Sequence, residues 1–366
     1  MSQYDYLIVG AGLFGAVFAY EAAQRGKSCL VIDKRPHIAG NAYTESICDI
    51  NVHVYGAHIF HTDDRCIWDY VGCFAEFNHF ANAPLARFGD KLYNLPFNMN
   101  TFYQLWGTKT PAEAQRVIDS QRPVLSGEPK NLEEAAISMA GVDIYEKLIK
   151  GYTEKQWGRV CADLPASIIQ RVPLRFIYNN NYFTDRYQGI PIGGYTQIVG
   201  KMLSKCEVLL NTDYFKFTHN NPAIANMTIY TGAIDEFFEY CYGKLEYRSL
   251  RFETETLHIG NFQGNAVINY TERSIPYTRI IEHKHFEFGE QPDTVITREY
   301  PAEWGIGAEP YYPINNKKND ALYMRYKALA DERGDVVFGG RLGQYKYFDM
   351  DDVIASALYL AERILA

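Results

Sequence analysis

The stretch YDYLIVGAGLFGAVFAYEAAQRGKSCLVID, residues 4–33, decides the fold. An apolar run, an Ala-rich segment and a second apolar run predict a strand, a helix and a strand, with Gly10, Gly12 and Gly15 in G-x-G-x-x-G spacing. In this spacing the first glycine allows a tight turn, the second lets backbone amides approach a pyrophosphate, and the third lets the helix pack close to the strand. Asp33 ends the second strand, where a carboxylate accepts hydrogen bonds from an adenosine ribose. The stretch therefore predicts a dinucleotide-binding unit.

The composition limits the classes of protein to which the chain can belong. With 366 residues, 47% of them hydrophobic, it is long enough for two or three domains. It has no run of about 18 apolar residues and no basic leader, so we expect neither membrane insertion nor a signal peptide. Seven cysteines without a C-x-x-C pair indicate the reduced thiols of a cytoplasmic protein. The net charge of -8 argues against nucleic-acid binding, and an anionic ligand would need local arginines and backbone amides.

Hydrophobic periodicity divides the chain into segments of an α/β fold. A Rossmann-like dinucleotide-binding domain is predicted in three pieces, 1–64, 195–243 and 317–366. A period of 3.6 predicts an inserted α-helical domain over 65–165, and alternation predicts an antiparallel β-sheet substrate domain over 244–316. The stretch 166–194 is predicted to be a mobile lid or connector, because its Asn- and Gly-rich ends flank aromatic residues. His58 and His61 have no further ligand clustered with them, so no metal site is expected.

Motifs along essentially the whole chain resemble those of bacterial UDP-galactopyranose mutases. The matching segments are IVGAGLFGAV (8–17), GNAYTE (40–45), YGAHIFHT (55–62), LPFNMNTF (95–102), GYTEKQWG (151–158), NNNYFTDRYQGIPIGGYT (179–196), LEYRSLRFETE (245–255), FQGNAVINYT (262–271), PYTRIIEHKHF (276–286), EPYYPINN (309–316) and FGGRLGQYKYFDMDDVI (338–354). One departure is Ala39, where the family usually has a second glycine before the asparagine. Together these motifs are far more specific than the glycine fingerprint alone.

The resemblance implies a function and a cofactor. Members of this family are FAD-dependent isomerases that interconvert UDP-galactopyranose and UDP-galactofuranose. By resemblance, N5 of reduced FAD attacks the anomeric carbon and expels UDP, and the sugar ring opens through an iminium adduct and closes in the other size. The resemblance also implies a cytoplasmic homodimer whose product serves cell-wall or lipopolysaccharide synthesis. The flavin carries the covalent chemistry, so the protein supplies binding and electrostatics.

The resemblance assigns roles to individual residues. Arg171 and Arg279 would hold the diphosphate and His58 or His61 would lie near the isoalloxazine, and these four are the predicted catalytic residues. The predicted substrate-binding residues are Asn82, Tyr152, Trp157, Tyr182, Arg248, Asn269, Arg279, Tyr312 and Tyr347. The predicted cofactor-binding residues are Gly10, Gly12, Phe14, Gly15, Asp33, Asn41, His58, Asp213, Tyr214, Arg341, Asp349 and Met350. Asp349 would cap the last helix, whose N-terminus would face the pyrimidine end of the flavin.

Two other functions compete with this interpretation. The first is an FAD-dependent oxidase or dehydrogenase of a sugar or amine, because such enzymes share the fold. The paired arginines and tyrosines suited to a diphosphate argue against it. The second is a sensor that binds FAD or a nucleotide sugar without catalysis, against which the presence of Arg171, Trp157 and Arg279 argues.

Overall fold

The computed structural model describes residues 3–124, 127–171, 174–305 and 307–365, without the side chains of residues 170 and 171. The strands are β1 (Tyr4–Val9), β2 (Cys29–Ile32), β3 (Thr44–Ile47), β4 (Ile50–His53), β5 (Phe60–Thr62), β6 (Leu85–Phe88), β7 (Lys91–Asn94), β8 (Tyr187–Gly189), β9 (Glu207–Leu209), β10 (Ala225–Tyr230), β11 (Tyr247–Leu257), β12 (Val267–Tyr270), β13 (Arg279–Glu282), β14 (Thr294–Glu303), β15 (Tyr312–Pro313) and β16 (Val336–Phe338).

The α-helices are α1 (Leu13–Gln24), α2 (Arg65–Gly72), α3 (Met99–Trp106), α4 (Pro111–Gln121), α5 (Leu132–Ala140), α6 (Val142–Ile144), α7 (Gly151–Trp157), α8 (Thr196–Met202), α9 (Tyr214–Asn220), α10 (Ile234–Phe237), α11 (Lys317–Asp331), α12 (Gly340–Gly343) and α13 (Met350–Leu365). A π-helical stretch, Tyr145–Lys150, joins α6 to α7, so residues 142–157 run as one helix. Within the described ranges, none of these helices has the length and apolarity needed to cross a lipid bilayer.

A five-stranded parallel sheet forms the dinucleotide-binding half of the molecule. Its order is β16-β10-β1-β2-β9, so strands from the start, middle and end of the chain lie side by side. Helix α1 packs on this sheet against α13 and α8, in a core that contains Val17, Phe18, Val199 and Ile354. The predicted Rossmann-like α/β fold is therefore confirmed.

The inserted helices begin where the sequence supplies capping groups. The Asn131 side chain accepts a hydrogen bond from the backbone N–H of Glu134, at the start of α5. Thr110 and Glu113 form a reciprocal capping box around Pro111, the first residue of α4. These helices and residues 142–157 enclose a second core.

The second sheet extends beyond its predicted range. Its order is β15-β11-β14-β13-β12-β6-β7, and β6 pairs with β12 in parallel while the other pairs are antiparallel. Strands β6 and β7 lie within 65–165, for which the sequence predicts only helices, and they form a hairpin across Gly89 and Asp90. Helix α2 from the same range contributes Ile67 and Val71 to the core around α1 and contacts α13 and β5. Short strands joined by one tight turn carry too little periodicity to stand out beside long helices.

The predicted mobile lid, 166–194, is held to its surroundings over most of its length. The Arg175 guanidinium donates to the carbonyls of Asn181 and Tyr182 at 2.5 and 2.9 Å. Asn98 Nδ2 donates to the carbonyl of Asn179 at 2.8 Å, and β8 pairs with β5. These bonds favour a fixed connector over 174–194, and whether 166–171 moves stays a prediction.

Candidate active site

A cavity of about 340 Å³ opens at the carboxyl ends of β1, β2 and β10. This edge of a parallel sheet is where α/β proteins bind dinucleotides. Eleven of the twelve predicted cofactor-binding residues line it: Gly10, Gly12, Phe14, Asp33, Asn41, His58, Asp213, Tyr214, Arg341, Asp349 and Met350. The twelfth, Gly15, lies behind the wall, on the helix face that meets the sheet.

The glycine-rich turn leaves no room for side chains at Gly10 and Gly15. A Cβ on Gly10 would lie 2.0 Å from Thr231 Oγ1, and a Cβ on Gly15 would lie 2.0 Å from the carbonyl oxygen of Gly10. Gly10 also has a φ of 108°, which side chains disfavour. Gly12 faces the backbone of Gly40, and a Cβ added to Gly40 would lie 3.1 Å from the Gly12 Cα. Two backbone segments thus meet at the cavity wall, a geometry that suits a pyrophosphate.

Asp33 organises the loop that follows β2. Its Oδ2 accepts a hydrogen bond from the backbone N–H of Ala11 at 2.8 Å, and its Oδ1 accepts from the N–H of Arg35 at 2.9 Å. Each carboxylate oxygen keeps a second lone pair for a ligand hydroxyl. Nearby, Ala39 has a φ of 73°, so the residue that replaces the usual glycine occupies the left-handed region at a cost of about 1 kcal/mol.

The other walls of the cavity come from helix starts and from Arg341. Asp213 caps α9 by accepting from the N–H of Lys216 at 3.0 Å. Asp349 precedes the first residue of α13, Met350, so the N-terminus of this 16-residue helix lies at the cavity. Arg341 donates to the carbonyls of Tyr311 and Phe348, at 3.2 and 2.5 Å.

One face of the seven-stranded sheet carries a row of polar side chains. Asn269, Arg279, Glu299 and Phe252 lie directly opposite one another on β12, β13, β14 and β11, so their side chains share a face. Arg279 Nε donates to Glu299 Oε1 at 3.0 Å, and only 1% of the Glu299 side chain is exposed. Burial disfavours the positive charge of Arg279, but the attraction and the hydrogen bond of the Glu299 carboxylate favour it, and the pKa of Arg279 is raised overall. Arg279 therefore carries a permanent positive charge within this row.

Four predicted tyrosines surround this cation. Tyr152 and Tyr182 are within electrostatic range of Arg279, and the Tyr312 ring stacks on Tyr347 with centroids 5.3 Å apart. Burial raises the pKa of Tyr152 to about 12 and also raises the pKa of Tyr182 and of Tyr312. These hydroxyls therefore stay protonated at neutral pH and are available as hydrogen-bond donors.

The structure separates the two histidines that the sequence left as alternatives. His58 lines the cavity, and its Nδ1 lies 2.7 Å from the carbonyl oxygen of Gly56. Burial lowers the pKa of His58 to about 4, and Arg341 and Arg279 oppose its protonation further. Nδ1 therefore carries the proton, and Nε2 is an acceptor. His61 instead stacks on Phe183 at 3.7 Å, with its Nδ1 3.3 Å from Asp185 Oδ2.

The remaining predicted residues lie in different places. Asn82 is buried, and its carbonyl accepts from the N–H of Tyr182 at 2.7 Å. Arg248, 8% exposed, donates through Nε to the carbonyl of Gln156 at 2.9 Å and so holds the end of α7. Trp157 lines a separate cavity of about 150 Å³. The side chain of Arg171 lies outside the described residues.

The comparisons with known proteins agree with this geometry. The model of the UDP-galactopyranose mutase family matches residues 147–347, and that of an NAD(P)-binding Rossmann-like domain matches residues 8–74. The chain belongs to the UDP-galactopyranose mutase family. It is therefore an enzyme of the isomerase class.

Several relatives of this family are similar over their full lengths. A probable UDP-galactopyranose mutase of Klebsiella pneumoniae is 39% identical, with 100% of this chain and 96% of that protein covered. A dTDP-fucopyranose mutase of Escherichia coli is 35% identical, with 97% of both covered. A crystal structure of reduced UDP-galactopyranose mutase has a TM-score of 0.76 at 13% identity and covers 100% of this chain and 94% of that one, which shows a shared fold.

Sequence reasoning missed two residues that the structure places at the candidate site. Glu299, the partner of Arg279, lies on the same face of β14 as the buried Val295 and Thr297. A glutamate at a position that strand alternation predicts to be buried is the signal that could have indicated it. Thr231 closes the wall under Gly10 and donates to the carbonyl of Val9 at 2.7 Å. No local pattern singles out Thr231, because β10 joins β1 only in the folded chain.

Proposed function

We propose that this enzyme interconverts UDP-galactopyranose and UDP-galactofuranose, with FAD bound in the cavity of about 340 Å³. The observation that carries the proposal is the row of Asn269, Arg279 and Glu299, which presents a buried cation among tyrosine hydroxyls close to the cavity residue His58. A cation with neutral donors around it suits the diphosphate of a nucleotide sugar. Membership of the mutase family favours this reaction over an oxidase, a dehydrogenase or a non-catalytic sensor.

The residues of the cavity fit FAD. Gly12 lines the cavity without a side chain, so a pyrophosphate can approach its backbone closely, and Asp33 keeps lone pairs for a ribose. Asp213 and Tyr214 would lie on the adenosine side. The N-terminus of α13 would favour the anionic, reduced flavin through its helix dipole. When bound and reduced, FAD supplies N5 as the nucleophile that displaces UDP from the anomeric carbon.

The residues of the chain would bind the leaving group and keep the site in one protonation state. Arg279 would neutralise the diphosphate as UDP departs and returns, while Glu299 keeps the guanidinium oriented. Tyr182, Tyr312 and Tyr347 would donate to diphosphate oxygens, with Tyr152 and Trp157 flanking the uracil or the sugar. His58 would present Nε2 as a neutral acceptor, and His61, turned toward Phe183, would act only indirectly. Arg171 stays a predicted second cation for the diphosphate.

A second candidate substrate is dTDP-fucopyranose. The observation that favours it is the 35% identity to a mutase of that substrate over 97% of both chains. The two substrates differ in the base, in the 2′-hydroxyl of the nucleoside and in the hydroxyl at C6 of the sugar, while the diphosphate and the ring contraction are common to both. Assaying both furanose forms with the same reduced enzyme, and comparing kcat/KM, separates them.

The oligomeric state, the compartment and the use of the product are proposed from the resemblance to the family. We propose a homodimer in the cytoplasm that supplies galactofuranose for cell-wall or lipopolysaccharide glycans. Sedimentation of the purified holoenzyme tests the dimer, and a monomer at micromolar concentration would contradict it.

The experiment that tests the proposal is conversion of UDP-galactofuranose followed by chromatography. The enzyme with reduced flavin should form UDP-galactopyranose, and the enzyme with oxidised flavin should not. Consumption of oxygen with a sugar or amine, without conversion in either state, would favour the oxidase instead.

A further inference from the structure

One face of the helix over residues 142–157 lies against the connection between β12 and β13. The carbonyl of Lys147 accepts from Thr271 Oγ1 at 2.7 Å, and a Cβ on Gly151 would lie 2.3 Å from the carbonyl oxygen of Thr271. One turn further on, Glu154 Oε2 accepts from Arg273 at 3.1 Å. Spacings of four and seven residues keep these positions on one helix face. The helix and the connection are therefore in direct backbone contact.

Lys155, the next residue on this face, binds both ends of the connection. Its Nζ donates to the carbonyls of Tyr270, Ile275 and Tyr277, at 2.6, 3.0 and 2.9 Å. An ammonium has three N–H donors and no acceptor, so each donor has one carbonyl. The neutral amine has only two N–H groups, which would leave one of the carbonyls without a donor.

The residues that Lys155 joins adjoin the candidate active site. Tyr152 lies about one helical turn before Lys155 on α7. Asn269 precedes Tyr270, and Arg279 follows Tyr277 by two residues, at the strand ends that the connection joins. A shift of the connection on α7 would therefore change the distance from Tyr152 to the Asn269–Arg279 pair.

We propose that the Lys155 ammonium is a positioning group, which docks the β12–β13 connection on α7 and so sets the spacing of Tyr152 and Arg279 for a nucleotide diphosphate. The proposal rests on the proposed function for the identity of the ligand. The docking itself rests only on the contacts of Lys155.

Burial at this site favours the neutral amine of Lys155 over its ammonium. Burial lowers the pKa of Lys155 to about 8, against a smaller opposing effect of the Glu272 carboxylate. The other titratable side chains on the two elements are Asp143, Tyr145, Glu146, Lys147, Lys150, Tyr152, Glu154, Tyr270, Glu272, Arg273 and Tyr277. Of these, Glu154 pairs with Arg273 and Lys150 pairs with Glu146. The ammonium therefore predominates at neutral pH, and because the buried lysine binds protons more weakly than an exposed one, raising the pH does not weaken the docking.

Hydrogen exchange tests the docking without any substrate. In Lys155→Met, the backbone amides of residues 269–279 should exchange at least about tenfold faster than in the wild type at neutral pH, because the ammonium no longer binds the connection. The matched control is Lys150→Met, on the same helix, whose Nζ pairs with Glu146 at 2.9 Å. Unchanged exchange in Lys155→Met, or the same change in both variants, would overturn the proposal.

The affinity for UDP tests the positioning role. At about pH 7 the Kd of the Lys155→Met holoenzyme for UDP should be at least about tenfold higher than that of the wild type, because the connection that leads to Arg279 is no longer held at its distance from Tyr152. Lys150→Met should keep the wild-type Kd, and both variants should keep their FAD. A wild-type Kd in Lys155→Met would overturn the proposal.

The two measurements distinguish this proposal from the proposed function. A wild type that binds no UDP would contradict the proposed function, and the exchange comparison would then decide the docking by itself. Neither measurement uses turnover of UDP-galactose.

Discussion

Arg279 is the side chain on which the proposed chemistry depends most. The protein carries a net charge of -8, so a dianionic diphosphate gains nothing from the overall field. Glu299 keeps the guanidinium charged and oriented although only 22% of the Arg279 side chain is exposed. Because Glu299 is already paired with one edge of the guanidinium, the remaining N–H groups are available for an anion.

Replacing Arg279 should abolish turnover and spare the flavin. We expect Arg279→Ala to lower kcat/KM for the nucleotide sugar at least about 100-fold, because charge-assisted hydrogen bonds to the diphosphate are lost. The flavin spectrum and the FAD content should stay unchanged. The control is Arg251→Ala, on the opposite face of the same sheet with 56% of its side chain exposed, which should keep wild-type kinetics. Wild-type turnover by Arg279→Ala would remove Arg279 from the site.

Tyr312 allows a test of the protonated tyrosine hydroxyls around Arg279 as hydrogen-bond donors to the nucleotide. Tyr312→Phe should weaken UDP binding about 10- to 100-fold, the value of one hydrogen bond to a charged group. Since burial raises the pKa of Tyr312, the loss should be the same at about pH 7 and pH 9. Calorimetric titration of the holoenzyme measures it, with Tyr103→Phe, 55% exposed on α3, as the control. Equal affinities for the wild type and Tyr312→Phe would show that this hydroxyl does not reach the nucleotide.

At the scale of elements, the contact of α1 with β1 positions the pyrophosphate end of the cavity. A Cβ at position 15 would lie 2.0 Å from the carbonyl oxygen of Gly10. We therefore expect Gly15→Ala to push α1 from the sheet, to cost about 1–3 kcal/mol of stability and to lose most of the bound FAD.

The comparison for that prediction is a glycine without such a contact. Gly72, at the end of α2, has nothing within 4 Å of an added Cβ. Gly72→Ala should keep its FAD and should be as stable as the wild type or slightly more so. Equal FAD content in Gly15→Ala and Gly72→Ala, measured by absorbance after gel filtration, would refute this account of the turn.

The elements that the sequence predicts correctly are those with strong local signals. Helices α4 and α5 follow caps at Thr110 and Asn131, and β1 and β2 are continuous apolar runs. The β6–β7 hairpin was missed, because each strand has only four residues and gains its place by pairing with β12, far along the chain. No local pattern reveals the bonding partners of Arg175 and Asn98, and the mobility of the segment 166–194 stays a prediction.

At the scale of the whole molecule, three buried histidines link stability to pH. His53 and His283 are each 1% exposed, and the ring of His58 lies beside them. Burial lowers the pKa of all three, that of His283 to about 3 and that of His58 to about 4. The unfolded chain therefore binds protons below about pH 6.5 that the folded chain does not, and stability falls as the pH decreases from there.

This linkage predicts a slope that a single substitution reduces. Each such histidine contributes up to about 1.4 kcal/mol per pH unit to the fall in the free energy of unfolding. His283→Gln should show a shallower decline in denaturant midpoint than the wild type between about pH 6.5 and pH 5. His258→Gln, at an imidazole that is 88% exposed, should keep the wild-type slope. Identical slopes in all three proteins would mean that His283 is protonated in the folded state.

The candidate site could be predicted only as far as motifs and resemblance reach. The glycine turn and Asp33 act within one local unit, so their spacing alone indicates a dinucleotide. Resemblance pointed to Arg279, but its partner Glu299 depends on the pairing of β13 with β14. The sequence holds no signal for the contact of His58 with Gly56 or of His61 with Phe183, and the role of either histidine beside a flavin stays a prediction.

The most direct test of the account is chromatographic conversion of UDP-galactofuranose by the FAD-loaded protein, with and without dithionite, and with dTDP-fucofuranose in parallel. The account predicts UDP-galactopyranose only when the flavin is reduced, and a lower kcat/KM for the dTDP sugar. A yellow, FAD-containing protein that converts neither sugar in either state would contradict it.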